Sequence, residues 1–431
     1  MKNDLLGKSQ ELFDFAKTLW PLNRSLTGQG VRETLEKVKD KISNLEIKEI
    51  PSGRSVFDWI TPDEWFVGEA YIITPNGEKI CDYKTNNLHL VQYSTPVSIE
   101  ISLEDLKPHL HYLENQPNAI PYVTSYYNRA WGFCLSYEQF CNLPDGNYKI
   151  VIDTSLSNGV LNYGELLING KSKKEVVFST YICHPSLANN EISGIVVTAF
   201  LAQYLLGMDT NLSYRFLFLP ETIGSIAYLH ENLDHLKKHV IAGYVVTCVG
   251  DERQYSFLPS RFGNTTADFI AKYVFEELEI DYKTYSWSDR GSDERQFCSP
   301  GVDLPIASIM RSKYSEYPEY HTSLDKLGDV VTGAGLSQSL YLYSKVVETL
   351  EKTNYPKTNI TCEPFLTKYE LHPTLSIKGT GSFVRKILDV TSWADGHHSD
   401  LEIAFLTSLS LEETTKILNL LISKGIVQNI N

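Results

Sequence analysis

The stretch FSTYICHPSLANNEISGIVV, residues 178–197, joins two elements of different period. Its start, within EVVFSTYI, is a short run of β-branched and aromatic residues and predicts a strand buried on both faces. Its end opens ISGIVVTAFLAQYLL, too apolar all round to lie on a surface, and predicts a buried helix. Between them stands a lone histidine, His184, then Asn189, Asn190 and Glu191 crowded into the turn. A strand feeding a buried helix is the unit of a parallel α/β sheet, and polar residues at such a junction lie where α/β sheets carry their ligands.

The same alternation continues outward. YKIVID and GELLING read as strands before this one, with Asn169-Gly170 expected to form a hairpin turn. YRFLFLP, VIAGYVVTCVG and DLPIASI read as buried strands, and YSWSD as a short one. GSIAYLHENL, TTADFIAKYVFEEL and GLSQSLYLYSKVVETLEK read as helices. Residues 5–45 carry two helical patterns, ELFDFAKTLW and GVRETLEKVKDKISNL. Residues 51–146 change character, with short strand-like runs between turns such as PNGEKI. After the linker TNYPKTN come three helical segments and KGIV, which suit a winged helix-turn-helix. The expected division is an α/β domain over 1–50 and 147–352, an inserted mainly-β domain over 51–146, and a winged helix over 358–431.

Composition removes several classes of function. The 431 residues are 42% hydrophobic and 21% charged, ordinary for a globular chain. A net charge of −14 argues against a general affinity for nucleic acid or anionic membranes. No apolar run approaches the roughly 18 residues of a membrane span, and MKNDLLGKSQELFDF lacks the pattern of a signal peptide. A cytoplasmic location is the resulting expectation. Seven cysteines without a C-x-x-C pair fit reduced thiols, not a disulfide framework. The tail is poor for DNA: SDLEIAFLTSLSLEETTKIL sets Asp400, Glu402, Glu412 and Glu413 against Lys416. A protein-contact or self-association module is expected there.

Polar residues collect at the strand ends. His184 follows one strand, Glu221 the next, then Asp251, then Asp293 and Glu294 in RGSDERQF, then His321 in EYPEYHTSLDKL. Each has an ordinary reading: a loop histidine, a helix N-terminal acid, an N-cap asparagine or a solvated carboxylate. Together at one sheet edge they predict a metal or catalytic cleft, since His and carboxylate are the usual ligands of catalytic zinc.

The words ICHPSLANNEISG, LPETIGS, RGSDERQF and YPEYHTSLDKL, in this order, resemble the co-catalytic zinc aminopeptidases. They are more similar still to a bacterial set of aminopeptidase-like proteins with an inserted domain and a C-terminal winged helix. The resemblance covers nearly the whole chain. It implies an α/β, phosphorylase/hydrolase-like sandwich with a mixed, mostly parallel sheet. It also implies that His184 and His321 are zinc ligands and that Glu221 is the general base. Asn190 falls where the family has a metal-bridging aspartate, Thr222 where many members have a second acidic ligand, and Cys248 at a further ligand position, with Asp251 the nearest acid. A neutral Asn190 argues for one zinc, not two, because paired dications need an anionic bridge. Asp325 is the expected acceptor for a ligand histidine. Arg311 or Tyr320 is the expected oxyanion donor, and Asp293 or Glu294 the expected holder of a substrate amine. Tyr126, Tyr127 and Trp131 are expected to roof the cleft. The implied activity is hydrolysis of an amide in a peptide or amide-bearing small molecule. The alternative is a degenerate site that binds or modifies an amino or acyl sugar in surface polysaccharide synthesis. The third is a DNA-binding regulator.

Overall fold

The computed structural model describes residues 2–371 and 381–430; part of the segment assigned to a winged helix therefore lies outside the described residues. Eight strands form the main sheet: β1 (Glu46–Pro51), β2 (Val160–Ile168), β3 (Glu175–Tyr181), β4 (Ser213–Leu219), β5 (Val240–Val245), β6 (Tyr255–Leu258), β7 (Tyr282–Thr284) and β8 (Ile306–Met310). Their order is β1-β2-β4-β3-β5-β8-β6-β7. The β4-β3-β5-β8 centre is parallel, whereas β1, β2 and β6 join antiparallel to their inner neighbours. Every residue of β3, β4 and β8 is buried, which is why these strands read as unbroken apolar runs.

Helix Ser193–Leu206 has eleven of its fourteen residues buried, so it is a core element. Gly194 permits its close approach to the sheet: a Cβ there would stand 2.3 Å from the Val246 carbonyl oxygen. The closing helix, Gly333–Lys352, brings Tyr343 edge-on to Phe178 of β3, with ring centroids 5.9 Å apart. At the opposite end of the strands from the candidate site, Arg215 on β4 binds Glu165 of β2 and Glu175 of β3. Tyr228 and His235 of helix Ile223–His239 join the same network.

Two expectations change. Asn169-Gly170 does not close a hairpin between β2 and β3, because β4 lies between them. The connection packs on the turn entering β4 instead: the Gly170 N–H donates to Ser213 Oγ at 3.1 Å, and the glycine lies against the Leu212 carbonyl with no room for a Cβ. Six residues easily span one intervening strand at about 4.8 Å per strand. The strand Asn147–Ser157, read above with the α/β elements, pairs with Glu64–Ile73 and Val97–Ser102 in a separate four-stranded sheet. From that β-rich region the segment 120–123 reaches the loop 320–323 and forms a short ladder with it. Tyr122 N–H donates to the His321 carbonyl at 2.9 Å, and Ser323 N–H to that of Ile120 at 2.9 Å.

The chain divides into two compact units, 1–263 with 280–344, and 264–279 with 345–431. The second contains helices Gly381–Trp393, Asp400–Thr407 and Leu411–Ser423, and the antiparallel pair Pro356–Thr358 and Val427–Asn429. Ile387, Val390, Ile403, Leu418 and Leu421 form its core. Ser399 and Ser410 cap the second and third of these helices.

Candidate active site

β3 ends at Tyr181, and three residues on His184 is buried beneath a wide π-helical turn, Ala188–Ile192. Such turns widen a helix start and recur at functional sites. Here the turn swings Glu191 back under the strand end. Its carboxylate accepts from the Cys183 N–H at 2.9 Å, from the His184 N–H, and from His184 Nδ1 at 2.8 Å. Its other oxygen accepts from Arg24 Nε at 2.6 Å, and Arg24 is itself fully buried. Arg24 also donates to the carbonyls of His184 and Leu19. The carboxylate thus fixes one tautomer of His184, with Nδ1 protonated and Nε2 free on the opposite side. Although burial works against the imidazolium, the hydrogen bond and charge of Glu191 hold the His184 pKa above its ordinary value.

His184 Nε2 faces Glu221 Oε2 at 3.8 Å. Glu221 follows β4 at a strained corner. Thr222 has φ +64° and ψ −76°, and the Ile223 N–H reaches back to the Glu221 carbonyl at 2.8 Å, closing a γ-turn that β-branched residues rarely enter. Three contacts hold the corner. Glu221 N–H points to Cys183 Sγ, Thr222 N–H donates to Asp293 Oδ1 at 2.8 Å, and Arg295 Nη2 donates to Thr222 Oγ1 at 2.6 Å. Burial raises the Glu221 pKa, while His184 and Arg295 oppose it. Burial and the charge of Glu221 push Asp293 up to about 7.

His321 approaches from the other side, its ring centroid 5.4 Å from that of His184. Its backbone is left-handed, φ +55°, and its ring stacks on Tyr320 at 3.8 Å. Burial and the neighbouring His184 lower its pKa to about 2, so the ring is neutral. Its Nε2 is buried with no hydrogen-bond partner. Tyr122 stands beside both histidines, 5.0 and 5.1 Å from their rings, and its hydroxyl pairs with that of Tyr126 at 2.9 Å.

His184, His321, Glu221, Asp293, Tyr320 and, through Tyr122, Tyr126 therefore gather at one place. Other expected residues do not join them. Asp251 is occupied elsewhere: its oxygens accept from Asn189 Nδ2, Arg253 N–H, and both the N–H and hydroxyl of Ser312. Glu294 accepts from Tyr314 OH and from the N–H groups of Gly291 and Ser292, which leaves it unsuited to hold a substrate amine. Arg311 lies over the Tyr255 ring and donates to Gln338. Asp325 does not receive His321; it accepts from the N–H groups of Asn189 and Asn190 and from Tyr317 OH, bracing the π-helical turn. Asn190 is buried behind His184, with Oδ1 accepting from Tyr181 OH at 3.3 Å. Tyr127 donates to the Ile60 carbonyl and Trp131 stacks on His109, so neither roofs the site. Sequence reasoning missed the orienting role of Glu191, whose signal was its crowding into the turn after His184. Arg24 and Tyr122 carried no signal, lying far from the histidines along the chain.

Cys183, His184 and Glu191 each bring a potential ligand atom within 4.8 Å of the others and form a buried three-residue candidate metal cluster. A zinc also suits the far side of His184. His184 Nε2 lies 3.8 Å from the Glu221 carboxylate, the His321 ring centroid lies 5.4 Å from that of His184, and His321 Nε2 is buried without a hydrogen-bond partner, a donor set whose chemistry suits zinc. The neutral Asn190 and the Thr222 hydroxyl, already held by Arg295, do not suit a second dication.

A mixed sheet with two histidines and an acid at the carboxyl ends of its parallel strands, a β-rich insert and a winged-helix module defines the class: a peptidase-fold α/β protein. The chain belongs to the family described as "Domain of unknown function (DUF4910)", whose model matches residues 13–353; a winged helix-turn-helix model matches 353–429. It is 41% identical over 401 residues, 93% of this chain and 92% of the other, to a Clostridium acetobutylicum protein provisionally described as a polysaccharide biosynthesis protein with an aminopeptidase-like domain. A crystal structure of a provisionally assigned peptidase from Clostridium acetobutylicum is 37% identical, with a TM-score of 0.84, covering 100% of this chain and 98% of that one. A zinc aminopeptidase from Bacillus subtilis, 12% identical, shares the fold at a TM-score of 0.57, over 79% of this chain and 94% of its own. Family, fold and the buried cluster are consistent with a hydrolase of the aminopeptidase superfamily.

Proposed function

We propose that this site is a zinc-dependent amide hydrolase of aminopeptidase type, working with one metal ion. The observation that carries the reading is the buried pair of His184 and His321, with His184 locked in one tautomer by Glu191 and facing Glu221. His184 and His321 would hold the zinc, with Glu221 beside them as the base. When bound, zinc polarises an amide carbonyl and lowers the pKa of a water toward about 7.

Glu221, with its raised pKa, takes a proton from the attacking water. The water oxygen bonds to the carbonyl carbon, the C–N bond breaks, and Glu221 returns the proton to the leaving nitrogen. Tyr122 and Tyr320 shield the histidines from bulk water. Asp293, held beside the Glu221 corner by the Thr222 N–H, would receive a substrate amine.

A second reading, a site that binds or modifies an amino or acyl sugar without a full metal centre, is favoured by Asn190 and by Thr222 tied to Arg295. It also agrees with the description of the Clostridium relative.

Metal content of chelator-free protein, paired with release of amine from aminoacyl and N-acyl sugar amides, separates the two. The hydrolase reading expects about one zinc per chain, lost in His321→Ala, and turnover reduced at least about 100-fold in Glu221→Gln with zinc retained. No zinc at saturating supply sinks it.

A further inference from the structure

A cavity of about 640 Å³ adjoins His321. It lies within the range of small-molecule clefts, roughly 300–1,000 Å³. The β-rich insert supplies most of its wall: Lys107, His111, Tyr112, Tyr122 and Phe140. The loop of Tyr320 and His321 supplies the rest. We propose that this cavity is the recognition subsite for an anionic saccharide portion of the substrate, a sugar ring bearing a carboxylate or a phosphate. The proposal rests on the reading that the scissile amide lies at His184, His321 and Glu221.

Three observations carry it. The first is charge. The chain has 53 acidic residues against 39 Lys and Arg, yet the described residues lining this cavity include no Asp or Glu. They present one exposed ammonium, Lys107, and the half-buried imidazole of His111, whose pKa burial lowers. The acids of the site, Glu221 and Asp293, are not part of this lining. An amide substrate with an anionic arm is thereby oriented, its charge directed away from the carboxylates.

The second is shape chemistry. The rings of Tyr112, Phe140 and Tyr320 all line the cavity, Tyr112 and Phe140 as one stacked pair and Tyr320 stacked on His321, which leaves each pair one outer face. Flat aromatic faces accept the C–H face of a pyranose while its hydroxyls stay toward polar groups and water.

The third is the backbone. One common way for a peptide arm to bind is by adding to a free strand edge. Here the edge is already used: Tyr122 N–H is bound to His321, the Val123 carbonyl accepts from Gln92, and Pro121 has no N–H. The same ladder joins the cavity wall to His321, so an occupant is held in fixed register with the reacting centre.

The test is calorimetric titration of the full-length protein with N-acetylglucosamine 1-phosphate, N-acetylmuramic acid, neutral N-acetylglucosamine and an N-acetylated acidic dipeptide. Expected is binding of at least one anionic sugar about tenfold or more tighter than the neutral sugar and the dipeptide. Lys107→Glu should abolish that preference while leaving neutral-sugar binding within about twofold. Lys107 is exposed, so the variant should fold, and an unchanged Tm checks this. The two anionic sugars separate phosphate from carboxylate as the preferred group. Equal affinity for charged and neutral sugars, an unaltered preference in Lys107→Glu, or equal binding of the dipeptide overturns the proposal. Binding is read without turnover, so an inactive protein that keeps the preference defeats only the hydrolase reading. An active protein that lacks the preference defeats only the subsite.

Discussion

At the scale of single residues, the site depends on a few groups placed at a cost to the fold. Arg24 and Glu191 are both fully buried, and removing one partner of a buried pair leaves a charge without compensation. Arg24→Met is expected to destabilise by about 3–5 kcal/mol, measurable by urea unfolding. Glu191→Gln weakens the acceptor that fixes His184, so zinc affinity should fall about 10–100-fold in a chelator competition, beyond any change in stability. Thr222 supplies a second test. Alanine there keeps the left-handed backbone and loses the hydroxyl, whereas glycine relieves the strain. Thr222→Gly should be about 1 kcal/mol more stable than Thr222→Ala, against the usual order, and both should turn over more slowly because the Glu221 corner loses its tie to Arg295. A glycine variant less stable than the alanine one would remove strain from the account.

Among the elements, helix Ser193–Leu206 and the strands under it set the position of the π-helical turn. Gly194→Ala places a methyl group against the Val246 carbonyl and Thr180 Oγ1, both in the core. The helix must retreat, at a cost of about 1–3 kcal/mol, and His184 should lose metal affinity as its turn moves. At the other end of the strands the Arg215 network makes stability depend on pH. Burial pushes Glu165 and Glu175 upward, but their hydrogen bonds and the charge of Arg215 prevail and hold both below the ordinary range. Groups depressed in the folded state contribute stability above their unfolded pKa, about 4.3, and lose it as the pH falls through their folded values. The gap in urea midpoint between wild type and Arg215→Met should therefore be widest near neutral pH and close below about pH 4. A gap independent of pH would assign the effect to packing alone.

For the whole molecule, the winged-helix module is the open element. Its acids Glu412, exposed, and Glu413, half-buried and paired with Lys386, lie in the first turn of Leu411–Ser423. Duplex DNA should show no salt-sensitive binding at 50 mM salt in a mobility or anisotropy assay. A steep loss of affinity with added salt would instead make the regulator reading the leading one. No helix among the described residues is long and apolar enough to cross a membrane.

The sequence by itself determined the strand–helix alternation, the parallel centre of the sheet, and His184, Glu221 and His321 as strand-end residues, because these follow from local period and from where α/β strands finish. It also carried the family words. What it could not decide was partner choice among similar groups. Asp251, Glu294 and Asp325 are acids near the right strand ends, yet each is consumed by hydrogen bonds to loops that only the folded chain brings near. Glu191 was visible as a turn residue, but its role depended on Arg24, 167 positions earlier. The order of β2, β4 and β3, the ladder from the insert to His321, and the acid-free cavity beside it arise the same way. They are pairings between distant segments, and their energies depend on burial and geometry that no local pattern records.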